Sequence, residues 1–527
     1  MKHVNRYGVL FATVLIIALL LRVWGINYDL PYIYHPDEPF SMGIIQNIFK
    51  TSNFNPHFFN YPSLFFYINV LAYIPYYLLG KILGIFTTRN DILAPISIVM
   101  GVTKSQMPST VLLGRTITLI FGLGTVGITY LIGKQLTGKR TVGLFASLLL
   151  AVALPDVNLS RFITPDTFAT FFIIASFLGS VLIYHQGKTR YYIFAGICAG
   201  FAASTKYNGG LIVLPMILAH FLHYRKHAFA NRNIYIGLAI SGFAFLAGTP
   251  FAAIDFPSFW AGIRYDSLHY STGHPGMEGD TLKYYLNYMW TTGGIIYALS
   301  ILGIIRGIYT RSKEIILLSI YPIVYFLFIN RYLVRNDRTF LPLTPFLFLL
   351  AVFFLDFLIG FFSRLPFGSW RKVSRFGFAA LLLLTYTWPL SVTAKNTLRL
   401  TSVDSRTTSR LWIADNLPSG TRIAVESYSP FVDPERFSVQ GFIRIIDHDP
   451  DWYSENGFDY LVFSAGMYGR FYDQPELYRS EVSQYNAFFS SLKLVKMFND
   501  GNFEIRIYQV PSPSNANLNH RQMRVRF

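Results

Sequence analysis

The chain has 527 residues, of which 52% are hydrophobic, 17% aromatic and only 14% charged, a balance that excludes an ordinary soluble globule. Its 45 basic and 28 acidic residues leave a net charge of +17, but much of the excess sits in short loops between apolar runs, so membrane topology explains it better than nucleic-acid binding. A single cysteine, Cys198, excludes an intrachain disulfide and a paired-cysteine metal site.

Lys2 and Arg6 precede an apolar run over residues 7–26 that is long enough to cross a bilayer. Arg22 interrupts its end and no small-x-small cleavage pattern follows, so the run reads as a retained first helix with its basic start in the cytoplasm. The next stretch, Tyr34-His35-Pro36-Asp37-Glu38, then falls on the outer face. Two adjacent carboxylates in a low-dielectric setting push each other's protonation apart, so Asp37 and Glu38 could offer a base beside a neutral or metal-bound acid. They would equally suit the first turn of a helix opened by Pro36, where acids favour the dipole.

Residues 27–106 form a first outer loop with the segment Asn55-Pro56-His57-Phe58-Phe59-Asn60-Tyr61-Pro62. The apolar stretch 63–86 carries Pro75 and Gly80, and a lone crossing there would put three basic loops outside. It is therefore expected to lie in the outer interface, or to pair with residues 92–102 as two crossings. Further spans are expected near 108–133, 141–155, 167–184, 191–204, 209–222, 234–253, 290–308, 315–330, 340–362 and 376–394. The count is about eleven, and eleven to thirteen with the first-loop segments, in a polytopic α-helical membrane module over residues 1–394. Arg161, Asp166, Lys206, Arg335, Asp337 and Arg338 hug helix ends on the same outer side as Asp37, where charges are costly unless they pair or face a wet cavity.

After residue 394 the composition turns polar. Residues 404–416 read as an amphipathic helix stopped by Pro418 and Gly420, 422–426 and 460–464 as strands, and 492–497 with 503–510 as a hairpin around Asn499-Asp500-Gly501-Asn502. Residues 395–510 thus form a small extracytoplasmic α/β domain, and the Ser-, Pro-, Asn- and Arg-rich residues 511–527 read as a disordered tail.

An outer cavity lined by carboxylates and cations and opening toward lipid suits an anionic headgroup on an apolar tail. Arg22, Lys206, Arg335 and Arg338 could hold a phosphate or pyrophosphate and stabilise the charge that develops if it leaves, while a nearby carboxylate takes a proton from an attacking hydroxyl. Each cation could instead be an ion pair that fixes helices.

The acid pair, Asn60-Tyr61-Pro62-Ser63-Leu64, Ser160-Arg161-Phe162 with Asp166, Thr205-Lys206-Tyr207-Asn208-Gly209 and Asn336-Asp337-Arg338-Thr339-Phe340-Leu341-Pro342-Leu343 together resemble the GT-C glycosyltransferases. The likeness is greatest to the branch holding protein O-mannosyltransferases and the aminoarabinose transferase of lipid A (the glycosyltransferase family 39 or PMT-like branch), and it covers residues 7 to about 394. It implies an integral enzyme of the cell membrane that moves a hexose or pentose from a polyprenyl-phosphate donor to a hydroxyl of a protein, glycan or lipid, with inversion. Asp37 then matches the catalytic base, with Glu38 and Asp166 as the further acids. Lys206 and Arg338 fall in segments expected to contact the donor phosphate, with Arg335 as a substitute and Arg22 as an additional cation. His35, His57, Tyr61 and Arg161 are candidates for positioning the acceptor or the first loop. The lipid A branch carries a Lys before the proline motif where this chain has Asn60-Tyr61-Pro62, which counts against aminoarabinose. His35, Asp37, His57 and Asp166 could supply ligands to a divalent ion, although no tight spacing compels it. A flippase or transporter of lipid-linked sugars is the alternative; it would favour midplane charges and inverted repeats, and neither is visible.

Overall fold

The structure is a computed structural model, and it describes residues 6–274, 276–363, 369–501 and 503–511; the tail expected to be disordered lies, from residue 512 on, outside the described residues. In chain order the elements begin with α1 (Arg6–Val23), β1 (Tyr32–Ile33), α2 (Asp37–Thr51), α3 (Leu64–Ile82), β2 (Ile96–Val99), β3 (Val102–Lys104), α4 (Pro108–Thr137), α5 (Arg140–Val152), α6 (Leu154–Leu159), α7 (Pro165–Gln186), α8 (Thr189–Thr205), α9 (Val213–Tyr224) and α10 (Asn233–Gly248). They continue through α11 (Phe251–Ile254), α12 (Phe256–Thr272), α13 (Thr281–Gly293), α14 (Ile295–Thr310), α15 (Lys313–Ile329), α16 (Asp337–Phe340), α17 (Thr344–Ser363) and α18 (Ser369–Leu400). The last group is α19 (Ser405–Asn416), β4 (Arg422–Glu426), β5 (Ser438–Phe442), α20 (Pro450–Glu455), β6 (Tyr460–Ser464), α21 (Ala465–Tyr472), α22 (Arg479–Ser491), β7 (Lys493–Asn499) and β8 (Glu504–Gln509).

Two compact units share these elements. The first takes residues up to Ile26, Ile44–Arg89 and Leu112–Arg399; the second takes Asn27–Gly43, Asn90–Val111 and the chain from Leu400 on.

The first unit is the membrane module. Among the described residues five helices are long and apolar enough to cross a bilayer: α1, α3, α4, α7 and the run Asp337–Phe362. A sixth crossing arises if α13 and α14, bent by 114° at their junction, count as one broken span. The bend falls at Gly293-Gly294, where Gly294 has a φ of 51°, a conformation that glycine adopts without penalty. Several other expected spans are helices of 10–17 residues, such as α5 and α10, which at about 1.5 Å per residue do not cover a hydrocarbon core alone. Small residues let these helices pack closely. A side chain on Gly196 of α8 would meet the Gly237 carbonyl oxygen of α10 at 2.5 Å, and one on Gly200 would meet that of Ser241 at 2.4 Å, so α8 presents a small-xxx-small face.

The second unit is an α/β domain. Its sheet has the order β5-β4-β6-β8-β7, with β4 parallel to both β5 and β6 and the β7–β8 hairpin antiparallel at one side. The chain between α1 and α4 contributes to it a three-stranded sheet, β1-β3-β2. Residues 92–102, which only one of the two readings of the first loop makes a crossing, are therefore not helical: β2 and β3 turn at Gly101, whose φ is 71°. The β-branched run Ile96, Ile98, Val99 and Val102 explains the preference for strand. Gly101 also allows a close approach, since an added Cβ would lie 2.8 Å from the Tyr428 ring. The backbone N–H of Tyr428 donates to the Met100 carbonyl at 2.9 Å, tying the hairpin to the loop after β4.

Candidate active site

In the first unit the polar chemistry converges where three chain segments end. Pro165 starts α7 and places Asp166 in its first turn, where a carboxylate suits the free N–H groups. Lys206 is the residue that stops α8; its backbone is extended, with φ −152° and ψ 124°. The two side chains meet, Lys206 Nζ donating to Asp166 Oδ1 at 2.6 Å, and they are only 13% and 3% exposed. Burial opposes the charge on Lys206, but the Asp166 carboxylate outweighs it and holds the ammonium protonated beyond the usual lysine range.

Lys206 faces a cavity of about 290 Å³ whose wall includes Asn60, Tyr61, Asp266, Tyr270 and Tyr332. The turn after Lys206 is pinned in two places. Tyr207 Oη donates to the Phe59 carbonyl at 2.7 Å, and Asn208 Nδ2 donates to Tyr325 Oη at 3.1 Å. Tyr325 in turn donates to the Thr339 carbonyl, and Tyr285 to that of Asn336, so the Asn336-Asp337-Arg338 segment is fixed by phenols from α15 and α13. Asp266, on α12, puts a carboxyl on the cavity wall. Burial pushes it up to about 6, against the pull of Lys206. A cavity with one cation, a carboxyl that can hold its proton near neutrality and several phenols can bind an anion at one end and hydroxyl groups at the other.

Of the residues expected from the sequence, Tyr61, Asp166 and Lys206 come together here. Arg22 does not line this cavity: it is fully buried in α1, and its guanidinium donates to the Ala18 and Ala151 carbonyls and to Ser160 Oγ. Arg161 is likewise buried and donates to the Leu21 carbonyl and, at 2.9 Å, to Thr397 Oγ1, joining α1 to α18. The Arg335 guanidinium lies 5.6 Å from the Tyr284 ring, and Arg338 follows Asn336, whose side chain caps α16 by accepting from the Arg338 N–H at 2.9 Å. His57 has a left-handed φ of 49° and sits in a turn where its N–H donates to Asn55 Oδ1; Asn55 also donates to Asp255.

The acid pair belongs to the second unit. Asp37 and Glu38 form the first turn of α2; Glu38 is fully buried and Asp37 is half-buried. His35 Nδ1 accepts from the Asp37 N–H at 3.3 Å, so that nitrogen carries no proton and the ring caps the helix. The four side chains named as candidate metal ligands divide between the units, and among the described residues no three His, Cys, Asp or Glu side chains form a metal-holding group. Asp266, Tyr270, Tyr285 and Tyr332 were not singled out individually. The segment 264–274 carried a general signal, its richness in aromatic and polar residues, but Asp266 and Tyr270 are set on the cavity wall only by the fold of α12.

Residues 97–249 match the family described as dolichyl-phosphate-mannose-protein mannosyltransferase. No curated protein matches the sequence. Among solved structures, ArnT from Cupriavidus metallidurans in the apo state is 14% identical with a TM-score of 0.55, over 95% of this chain and 98% of that one. The same protein bound to undecaprenyl phosphate gives 14% identity and a TM-score of 0.54, over 97% and 99% of the two chains. The apo oligosaccharyltransferase from Archaeoglobus fulgidus gives 13% and 0.53, over 88% of this chain and 70% of that one. The chain therefore has the GT-C membrane fold, an integral α-helical module with a small C-terminal α/β region, as the resemblance in its motifs implied.

Proposed function

We propose that this protein is an inverting glycosyltransferase that moves a sugar from a polyprenyl-phosphate donor to an acceptor hydroxyl on the extracytoplasmic face of the cell membrane. The observation that carries the reading is the buried Lys206–Asp166 pair, which lies inside the stretch that matches the mannosyltransferase family and whose lysine lines a 290 Å³ cavity walled by phenols and Asp266. A related fold binding undecaprenyl phosphate supports the choice of donor.

In this reaction the acceptor oxygen attacks the anomeric carbon as the bond from that carbon to the phosphate oxygen breaks. The acceptor proton passes to Asp37, the general base, and the polyprenyl phosphate leaves with the electron pair of the broken bond. Lys206 is the phosphate contact. Its charge is balanced by Asp166 before the donor arrives, and it stabilises the negative charge that grows on the leaving group. Arg335 and Arg338 are the further candidates for that contact. Asp266 and the phenols bind hydroxyl groups, and Asn60 with Tyr61 positions the loop. His35 accepts from the Asp37 backbone N–H at the start of α2, which holds the backbone that carries the Asp37 carboxylate.

The test is mass spectrometry of lipids that copurify with the full chain after gentle extraction, wild type against Asp37→Asn. A polyprenyl-phosphate sugar enriched in the variant is expected, because the donor binds but its proton acceptor is missing. Equal amounts of lipid-linked sugar in both samples would sink Asp37 as the base, and none in either would sink the donor.

A further inference from the structure

A strand of two residues is too short to hold itself in place, yet β1 leads directly into the acid pair. Its backbone pairs only with β3, Tyr32 opposite Lys104 and Ile33 opposite Thr103. What fixes its side chains comes from the other end of the sequence. Arg406 lies with its guanidinium carbon 3.8 Å from the centre of the Tyr34 ring, and Arg410 lies 4.2 Å from that of Tyr32. Tyr32 and Tyr34 are themselves stacked, 6.5 Å apart and 17° from parallel.

The spacing of both elements makes this match. Residues two apart on an extended chain share a face and are about 6.6 Å apart, while residues four apart on a helix share a face about 6 Å apart. Arg406 and Arg410 are four apart on α19, so one helix face can present a guanidinium to Tyr32 of β1 and another to Tyr34 just beyond it. Arg406 is also held rigid. Asp404 caps α19 by accepting from the Arg406 N–H at 2.7 Å, and the same carboxylate takes the guanidinium through Nε at 2.9 Å and Nη2 at 2.6 Å. With its edge locked by the carboxylate, the flat face is left for rings, and Phe503 at 4.2 Å takes part as well. Asp500 Oδ2 accepts from the Ser405 N–H at 2.9 Å, so the β7–β8 turn secures the start of the helix.

We propose that Arg406 and Arg410 of the C-terminal domain clamp Tyr34 and Tyr32 and thereby position Asp37 for the transfer reaction. The inference rests on the reading of Asp37 as the base. Only His35 and Pro36 separate Tyr34 from Asp37; proline fixes its own backbone angle, and His35 bonds the Asp37 N–H. A shift of Tyr34 therefore moves the carboxylate. The clamp assigns the C-terminal domain a positioning role that does not require it to touch the acceptor.

The test compares the full-length wild type, Arg406→Ala, Tyr34→Leu, Tyr34→Phe and Asp37→Asn, with thermal unfolding of each as a control for folding. Hydrogen exchange of peptides covering residues 28–38 is expected to quicken about tenfold in Arg406→Ala and Tyr34→Leu, and to stay near wild type in Tyr34→Phe, which keeps the ring. Undecaprenyl phosphate, the binding probe, is expected to bind within about twofold of wild type in the clamp variants. The amount of copurifying lipid-linked sugar should rise in Arg406→Ala and Tyr34→Leu toward the Asp37→Asn level and be restored to the wild-type level by Tyr34→Phe. Unchanged exchange in both clamp variants overturns the proposal, as does looser exchange with lipid retention at the wild-type level while Asp37→Asn raises it. If Asp37→Asn itself retains no more lipid than wild type, the reading of Asp37 falls and with it the catalytic half of this inference, while the exchange data still decide the clamp.

Discussion

The two units hold their most deeply buried cations differently. In the membrane module the buried cations donate along their hydrogen-bonding edges: Arg22 to the Ala18 and Ala151 carbonyls, Arg115 to that of Ile26, Arg161 to Leu21 and Thr397, Lys206 to Asp166. In the α/β unit the arginines also use their faces, as Arg406 does on Tyr34 and Phe503 and Arg410 on Tyr32. The contrast shows what each surrounding supplies. Between apolar helices the accessible partners are carbonyls at helix ends, and an unmet donor is costly. Around a sheet rich in Tyr and Phe, flat rings take one face of the cation while carboxylates take its edge.

The sharpest way to break this comparison is to remove a cation from the first unit. Arg22→Leu leaves carbonyls at the end of α5 without their donor, and a loss of about 3–5 kcal/mol is expected, read as a lower unfolding temperature in detergent. A variant as stable as wild type would show that the carbonyls find other donors. Lys206→Met should weaken undecaprenyl phosphate binding about tenfold to a hundredfold, the worth of one charged hydrogen bond. The double variant Lys206→Met/Asp166→Leu should recover thermal stability and not binding, which separates the pair's structural part from its part in the site.

The next two predictions sharpen the contrast through pH. Glu426, at the end of β4, is fully buried; burial pushes it up to about 8 although the Ser464 and Ile445 N–H groups and Tyr485 all donate to it. A carboxyl raised in this way holds its proton more tightly when folded. Its stabilisation is therefore complete below the ordinary value of 4.5 and is lost as pH rises through about 8. Glu426→Gln should flatten the unfolding temperature of the full chain across that window. Asp266 follows the same sign over a narrower window, from 3.8 to about 6, and because it is half-buried the slope removed by Asp266→Asn is smaller. A slope unchanged in either variant would assign it to other groups.

Much of the architecture was legible because periodicity and capping are local. The helix read over 404–416, the strands 422–426 and 460–464 and the Asn-Asp-Gly hairpin all rest on signals within a few residues, and the structure adds that Asp404 is the helix cap. Asp166 and Lys206 were visible for the same reason, as charges abutting apolar runs. Their pairing was not visible, since 40 residues separate them and nothing in either segment names the other. The affiliation of residues 27–43 and 90–111 with the C-terminal chain was also hidden. Composition announces a polar domain near residue 394, but it cannot announce that strands from the first loop complete it. Asp266 lies in an aromatic helix whose cavity-facing side depends on distant elements.

The order of synthesis gives the clamp one more consequence. Tyr34 emerges from the ribosome early, whereas Arg406 follows about 370 residues later and Phe503 almost at the end. Closing so long a loop adds little more entropy than closing a loop of half its length, so equilibrium tolerates the arrangement, but the contact cannot begin to form until every helix of the membrane module has been made. A truncated product lacking the last strands would thus carry the Lys206 cavity but lack Phe503 and Asp500, which hold Arg406 and the start of α19.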